Sequence, residues 1–595
     1  MSLPAVLLMA FTGAFVLLLL SEYIAGRRHP LPVPDGAEES AAASPSRRDA
    51  LLAWGLAALY AVVAFTNLGD TVAPALAYTP APGDSAVIEL PFGTELDHVL
   101  YFAGTRTGTW QLEISADGTD YIPYADAEQD YVAVLKWNTA SAGCPMPARF
   151  LRVTSIGSPD MGELALFTMT GQRIAPLSVS PNGAVLFDEP DLVPDGQTYL
   201  NSSIFDEIYH VRTAREGLLG DTMYEITHPP LGKQILSLGM LLFGVNPFGW
   251  RFMGTLAGVL MLPALYDFLF RLTRRRRLAV CGTLVFAFDF MHFTQTRLAT
   301  IDSYSVLFTL LAYLYMFRFY MDDDEKPLRS LGLCGMFFGL GAATKWTGLY
   351  AGAGLAVLWL LYWLQSGRFL KKEFWKNVLW CLLFFVAVPA LIYYLSYWPY
   401  GRAAGMRFPG MWFSRDYLRI VLDNQRYMFS YHSNLVATHP YASRWWQWLL
   451  DVRPILYYLS YAEDGCKSCI AAFTNPVLCW GGLAALFATF TWPRFRRSRK
   501  VQFLWVGYLA ALVPWMGVSR LTFAYHYFTA ELFLLGALAL FWERLEDLRG
   551  EHWHAPATAA LAGVLFVLFY PALSGLPVNA AFFAKILHWL PSWPI

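Results

Sequence analysis

Charge is scarce in this chain. Lys, Arg, Asp and Glu make up 15% of its 595 residues and sum to a net charge of -1. A nucleic-acid binder leaves a basic footprint, so this balance argues for no nucleic-acid partner. Cysteine is sparse too, with seven residues in all, too few for a disulfide framework in so long a chain. Cys281, Cys334, Cys381 and Cys479 lie in apolar runs as small hydrophobes. Cys466-Lys467-Ser468-Cys469 supplies only two of the about four ligands that zinc takes, and reads as a loop disulfide or two free thiols. The chain shows no glycine loop that would cradle a nucleotide phosphate. It also lacks the matched halves with interrupted helices that mark many transporters, so a transporter or flippase is a weaker reading. No clear small-residue cleavage site follows the first apolar run, and its basic cluster comes after that run, so residues 1–24 read as an extra transmembrane anchor.

What is abundant is apolar surface: 56% of the residues are hydrophobic and 16% aromatic. That composition belongs to a polytopic membrane protein. Apolar runs long enough to be considered spans lie near residues 3–20, 51–66, 252–270, 278–290, 304–320, 331–343, 349–364, 378–396, 476–492, 503–518, 528–542 and 557–570. The sequence thus suggests about 11 core spans plus the extra N-terminal one. Basic clusters such as Arg27-Arg28, Arg274 to Arg277, Lys371-Lys372 and Arg544 to Arg549 fall in alternate loops, which the positive-inside rule assigns to the cytoplasm. The loops between them are then external. Residues 25–50 read as a cytoplasmic linker, and the acid run Asp322 to Glu325 as a solvated cytoplasmic loop.

After the first core span, residues 51–68, two long external regions interrupt the rhythm. Within residues 69–190, segments near 86–90, 98–102, 109–114, 131–137, 149–155 and 164–168 alternate apolar and polar residues between turn signals, as half-buried strands do. They predict an inserted β-sandwich of discoidin or jelly-roll type. Residues 191–250 form the external loop that carries the chemistry, 251–396 a transmembrane bundle, 397–475 a second external loop, and 476–595 the last spans and an external tail.

Chemistry is expected where acids and bases meet at one membrane face, since an ionised group beside hydrocarbon is costly unless paired or used. Asp206-Glu207 and His228-Pro229-Pro230-Leu231-Gly232-Lys233 lie between the sandwich and the bundle. Arg251, Arg297, Asp302 and Lys345 follow at the heads of spans or in external turns. Glycosyl transfer from a lipid phosphate needs a base at the acceptor hydroxyl and cations at the departing phosphate. Asp206 suits the first role. Lys233, Arg251, Arg297 and Lys345 suit the second, arginine being fitted to bidentate phosphate contact.

Taken in order, Phe205-Asp206-Glu207, His228 to Lys233, Arg251, Thr294 to Asp302 and Lys345-Trp346 resemble the motifs of the dolichyl-phosphate-mannose protein O-mannosyltransferases, glycosyltransferase family 39, with the membrane-embedded GT-C fold. Tyr431 to Leu435, Thr438 to Tyr441, Ser443 to Trp448 and Phe523 to Tyr527 extend the resemblance. It implies an inverting enzyme that moves mannose from a polyprenyl phosphate to Ser or Thr hydroxyls of exported proteins, at the outer face of a bacterial cell membrane. In that case Asp206 is the base, and Glu207 positions the acceptor or a metal. Arg251, Lys233, Arg297 and Lys345 hold the donor phosphate, and His228, Asp302, His432, Arg444, Trp445 and Trp446 line the substrate site. No cofactor is certain, and the acid pair leaves a divalent cation, magnesium or manganese, as an option. The chain lacks the MIR domain of eukaryotic members and carries the sandwich instead, so an envelope glycan or glycolipid is the alternative acceptor.

Overall fold

The computed structural model describes residue 24 and residues 45–321, 326–492 and 498–595. The expected N-terminal anchor, most of the linker after it and the acid run at 322–325 lie outside the described residues. Two compact units share the chain. One comprises Met1–Thr66, Gly220–Ile235 and Gly254–Ile595, and the other Asn67–Leu219 and Leu236–Met253.

The larger unit is helical and apolar. Among the described residues, six helices are long and apolar enough to cross a membrane, or seven when a bent pair counts as one span. They differ in surroundings. The most apolar stretch of Lys372–Ala403 is only 6% buried by protein, whereas that of Ala524–Arg549 is 83% buried, so the first offers its surface to lipid and the second is central. Helices Asp302–Tyr320, Pro327–Thr344 and Arg499–Met516 also coincide with apolar runs read from the sequence. The run at 278–290 behaves differently from a single span. Helix Arg276–Ala287 stops, and Asp289 caps a second helix, Phe290–Thr296, by accepting the His292 N–H at 2.8 Å. The two are bent by 56°. A side-chain carboxylate that can bond free N–H groups starts a new helix where the apolar pattern alone suggests continuation. At one end of this unit an arginine run ties helix ends together. Arg276 meets Asp49 at 2.6 Å, while Arg275 and Arg277 both reach Glu546, at 2.8 and 2.6 Å.

The smaller unit is built on two main antiparallel sheets, besides a short two-stranded ladder of Glu95–Leu96 with Met146–Pro147. In chain order the strands of the two main sheets are β1 (Ser85–Glu89), β2 (His98–Ala103), β3 (Gly108–Ser115), β4 (Ile122–Gln129), β5 (Lys136–Ala140), β6 (Phe150–Gly157), β7 (Met161–Phe167), β8 (Arg173–Ile174) and β9 (Ser178–Val179). One sheet runs β9-β1-β6-β3-β4 and the other β8-β7-β2-β5. Ile88, Trp110, Leu112, Leu151 and Val153 of the first share a core with Val99, Tyr101, Leu164 and Leu166 of the second, which makes the unit a sandwich. Two details differ from the alternation pattern. Residues 131–135 form a turn with Leu135 at φ 55°, and the strand expected there begins at Lys136. Strand β4 escapes the pattern because Ala125-Asp126-Ala127-Glu128 mixes small and charged residues. It lies at a sheet edge, where one face meets solvent.

Candidate active site

In the smaller unit the segment leading to the acid pair is laced to the sandwich. The Ser203 N–H donates to the Leu135 carbonyl at 2.9 Å, the Ser203 hydroxyl to the Val134 carbonyl at 2.8 Å, and the Trp137 N–H to the Ser202 hydroxyl at 3.1 Å. Phe205 then adopts φ 50°, a left-handed conformation that a bulky residue takes only when its surroundings impose it. The Asp206 carbonyl accepts from the N–H groups of Tyr209 and His210, at 3.1 and 3.2 Å, where helix Glu207–Leu219 begins.

The two acids have different environments. Asp206 is half-buried, whereas Glu207 is fully buried. Glu207 accepts from Arg251 Nε and Nη2, each at 2.7 Å, and from the Ile204 N–H at 2.9 Å. Arg251 completes its set with the carbonyls of Leu68 (3.0 Å), Tyr199 (2.6 Å) and Ser202 (3.1 Å). A guanidinium has five N–H donors, and each has an acceptor here. This corrects two expectations. Arg251 has no donor left for a phosphate, and Glu207 is committed to Arg251 instead of an acceptor or a metal. The pair forms a buried brace one residue behind Asp206.

In the larger unit a second constellation gathers residues from distant parts of the chain. Lys233 is buried, and its ammonium bonds the Glu225 carboxylate, the Glu225 carbonyl (2.7 Å) and the His228 carbonyl (3.3 Å). Its three donors are used, so Lys233 pins the loop that holds His228 and has no donor left over for a phosphate. His228 Nδ1 lies 3.1 Å from the same Glu225 carboxylate. The rings of His228 and His432 meet edge to face at 5.4 Å. His432 Nε2 bonds the Thr227 carbonyl at 2.8 Å, and its Nδ1 is buried without a partner. Lys345 pairs with Asp302 at 2.8 Å and stands 5.3 Å from the Tyr525 ring centre.

Electrostatics in this cluster favour an anion. Burial, followed by His228, Arg520 and Lys345 as neighbours, holds His432 down at about 4. His228 is lowered in the same way, chiefly by burial with help from Lys345 and Lys233, although Glu225 opposes the shift. Both imidazoles are therefore neutral at pH 7. Glu225 balances Lys233, and Asp302 balances Lys345. Arg520 is half-buried and has no hydrogen bond or ion pair among the described residues. One positive charge is left uncompensated beside neutral rings. Sequence reasoning missed both Glu225 and Arg520. Glu225 was legible from its spacing, three residues before His228 and eight before Lys233. Arg520 falls just ahead of the Phe523 to Tyr527 motif and resembles any arginine flanking a span.

The remaining expected residues are dispersed. Arg297 is buried, donates to the Thr66 carbonyl at 2.8 Å and stacks over Phe293 at 4.6 Å; Asp302 pairs with Lys345 and not with Arg297. Arg444 and Trp446 are exposed and Trp445 half-buried. Trp448 is buried and stacks on His526 at 5.9 Å. Cys466 and Cys469 are free thiols on one strand, Cys466–Ala472, where residues three apart face opposite sides. Among the described residues no group of three or more His, Cys, Asp or Glu side chains is arranged to hold a metal ion.

Residues 197–400 match the family model described as dolichyl-phosphate-mannose-protein mannosyltransferase, and residues 417–593 match that for the C-terminal four-TMM region of protein O-mannosyltransferase. The polyprenol-phosphate-mannose–protein mannosyltransferase of Mycolicibacterium smegmatis is 28% identical over 67% of this chain and 88% of its own length. Its namesake in Corynebacterium glutamicum is 24% identical over 76% of this chain and 96% of its own length. The S. cerevisiae protein O-mannosyltransferase Pmt1-Pmt2 complex, solved bound to the sugar donor, aligns with a TM-score of 0.58 over 66% of this chain and 90% of that one at 15% identity, which shows a shared fold. The two family matches are consecutive and cover well over half the chain, and they include both the acid pair and the His228–Lys345 cluster: the chain belongs to the protein O-mannosyltransferase family, with a GT-C membrane fold.

Proposed function

We propose that this protein transfers mannose from a polyprenyl-phosphate carrier to Ser or Thr hydroxyls of exported proteins, at the extracytoplasmic face of the plasma membrane. The names of the bacterial relatives support the donor and the protein acceptor. The observation that carries the reading is the uncompensated positive charge of Arg520 beside Lys345, neutral His228 and neutral His432. Such a set suits a phosphate that gains charge as it leaves.

In this mechanism Asp206 takes the proton from the acceptor hydroxyl while its oxygen bonds the anomeric carbon. The bond from that carbon to the phosphate oxygen breaks, and polyprenyl phosphate departs with the electron pair. Lys345 and Arg520 stabilise that departing charge. His432, with Nε2 donating to a carbonyl, offers an Nδ1 lone pair that orients a hydroxyl without carrying charge. The buried Glu207–Arg251 pair fixes the backbone of Asp206. No metal is required by this arrangement, because cationic side chains meet the phosphate; a magnesium or manganese requirement is tested by adding EDTA to the assay.

The test uses purified protein in lipid with polyprenyl phosphate carrying radiolabelled mannose and a Thr-rich peptide. Label in the peptide, released by α-mannosidase, is the expected result. Label reaching only a glycan or glycolipid acceptor would overturn the assignment.

A further inference from the structure

The smaller unit contains a cavity of about 690 Å³ that the transfer mechanism does not use. Pro74, Phe102 and Leu135 give it an apolar floor, and Asp188, Asp191 and Arg215 stand around it. The floor is rigid: Phe102 packs edge to face on Trp137 at 5.5 Å. Its walls are held as well. The Glu189 carboxylate accepts the Ala75 N–H at 2.7 Å, and the Glu189 N–H donates to Glu163 at 3.1 Å.

Glu163 lies on β7, on the same sheet face as Phe102 of the neighbouring strand β2. It is fully buried, and its second oxygen, Oε1, has no protein partner. Glu163 does not itself line the cavity; it stands next to the lining residue Gly162 and supports the wall by accepting the Glu189 N–H. Burial raises the Glu163 carboxyl to about 8, so it is mostly neutral at pH 7 and can donate as well as accept. Arg215 is engaged by Thr105 at 2.9 Å and lies near Asp160, leaving exposed Asp188 and Asp191 to set the sign of the rim. Acidic rim groups repel a phosphate. A concave site with an apolar floor and carboxylate acceptors at its rim suits a neutral polyhydroxyl ligand, whose C–H face lies on the floor while its hydroxyls bond Asp188 and Asp191.

We infer that this cavity binds mannose already attached to the acceptor, so that a partly modified polypeptide stays on the enzyme while further hydroxyls are glycosylated. The inference rests on the transfer reading above, whose product is the one neutral hexosyl group the reaction itself supplies.

The experiment measures binding directly, on the full chain in lipid nanodiscs, by fluorescence anisotropy of two labelled peptides: a Thr-rich peptide bearing one α-mannosyl threonine, and the same peptide bare. The mannosylated peptide should bind about tenfold more tightly, the equivalent of one or two hydrogen bonds. Asp188→Asn combined with Asp191→Asn should remove the difference, and so should Ala75→Trp, which fills the cavity mouth; both should leave the transfer rate on bare peptide unchanged. Equal affinity of the two peptides overturns the inference, as does a preference that survives in both variants. Tighter binding of a bare Lys-rich peptide would assign the acidic rim to charge docking instead. Failure of the transfer reading would appear separately, as absence of mannose transfer to bare peptide.

Discussion

At the scale of residues, adjacent acids sit in different environments, Asp206 half-buried and Glu207 fully buried. Glu207 and Arg251 are both almost wholly buried and satisfy each other. Removing one partner of such a pair leaves an uncompensated charge, at a cost of about 3–5 kcal/mol. Arg251→Ala should therefore lower the thermal midpoint steeply. Arg251→Lys should rescue little, because three ammonium donors replace five guanidinium donors. A phosphate-binding Arg251 would show the reverse, a weakened donor affinity with a normal midpoint. Arg520 is expected to show that second pattern. Arg520→Ala should raise the donor KM by about tenfold to a hundredfold, the worth of a charge-assisted hydrogen bond, while the thermal midpoint stays put. The pair Asp206-Glu207 stands out in the sequence as a candidate, since acids beside an apolar slab need a reason to be there. Which acid turns inward was not legible, because that depends on an arginine that only the fold brings to Glu207.

Elements show where periodicity suffices and where it fails. Most apolar runs became helices at nearly the expected bounds, and the alternating runs in the sandwich became strands except at 131–135, which form a turn. The misplacements have local causes. Asp289 broke an apolar run by capping a new helix, and β4 hid its alternation at a solvated sheet edge. Helix Arg415–Asn434 brings His432 to the His228 loop, a placement that its sequence position does not announce. That contact has a titration consequence. His432 binds its proton near 6.5 when unfolded and about 4 in place, with burial as the first cause. Between those values the unfolded chain takes up a proton that the folded chain refuses. Stability should therefore fall as pH drops from about 6.5 toward about 4, and be insensitive to this group above that window. His432→Gln should flatten the fall in the thermal midpoint over that range; an unchanged profile would show that other groups dominate it.

For the whole molecule, the proposed orientation rests on which loops carry the basic clusters, and it admits a direct check. Cys144 is the exposed cysteine among the described residues and lies in the sandwich. A membrane-impermeant maleimide added to intact cells should label the wild-type protein, and Cys144→Ser should abolish most of that label. Labelling that requires permeabilised cells would place the sandwich on the cytoplasmic side and reverse the topology. The family and the general membrane architecture were readable because their motifs are local and ordered along the chain. The division of labour was less readable, since Lys233 and Arg251 look like phosphate ligands until their partners are known.

The central claim is that Asp206 performs chemistry while Lys345 and Arg520 hold the donor. Its most direct measurement compares wild-type and Asp206→Asn protein for turnover and for binding of a polyprenyl-phosphate mannose donor. Loss of the base should cut kcat by about 10² to 10⁴ while donor affinity stays within a few-fold of wild type. Turnover close to wild type in Asp206→Asn, at equal protein stability, would contradict the account.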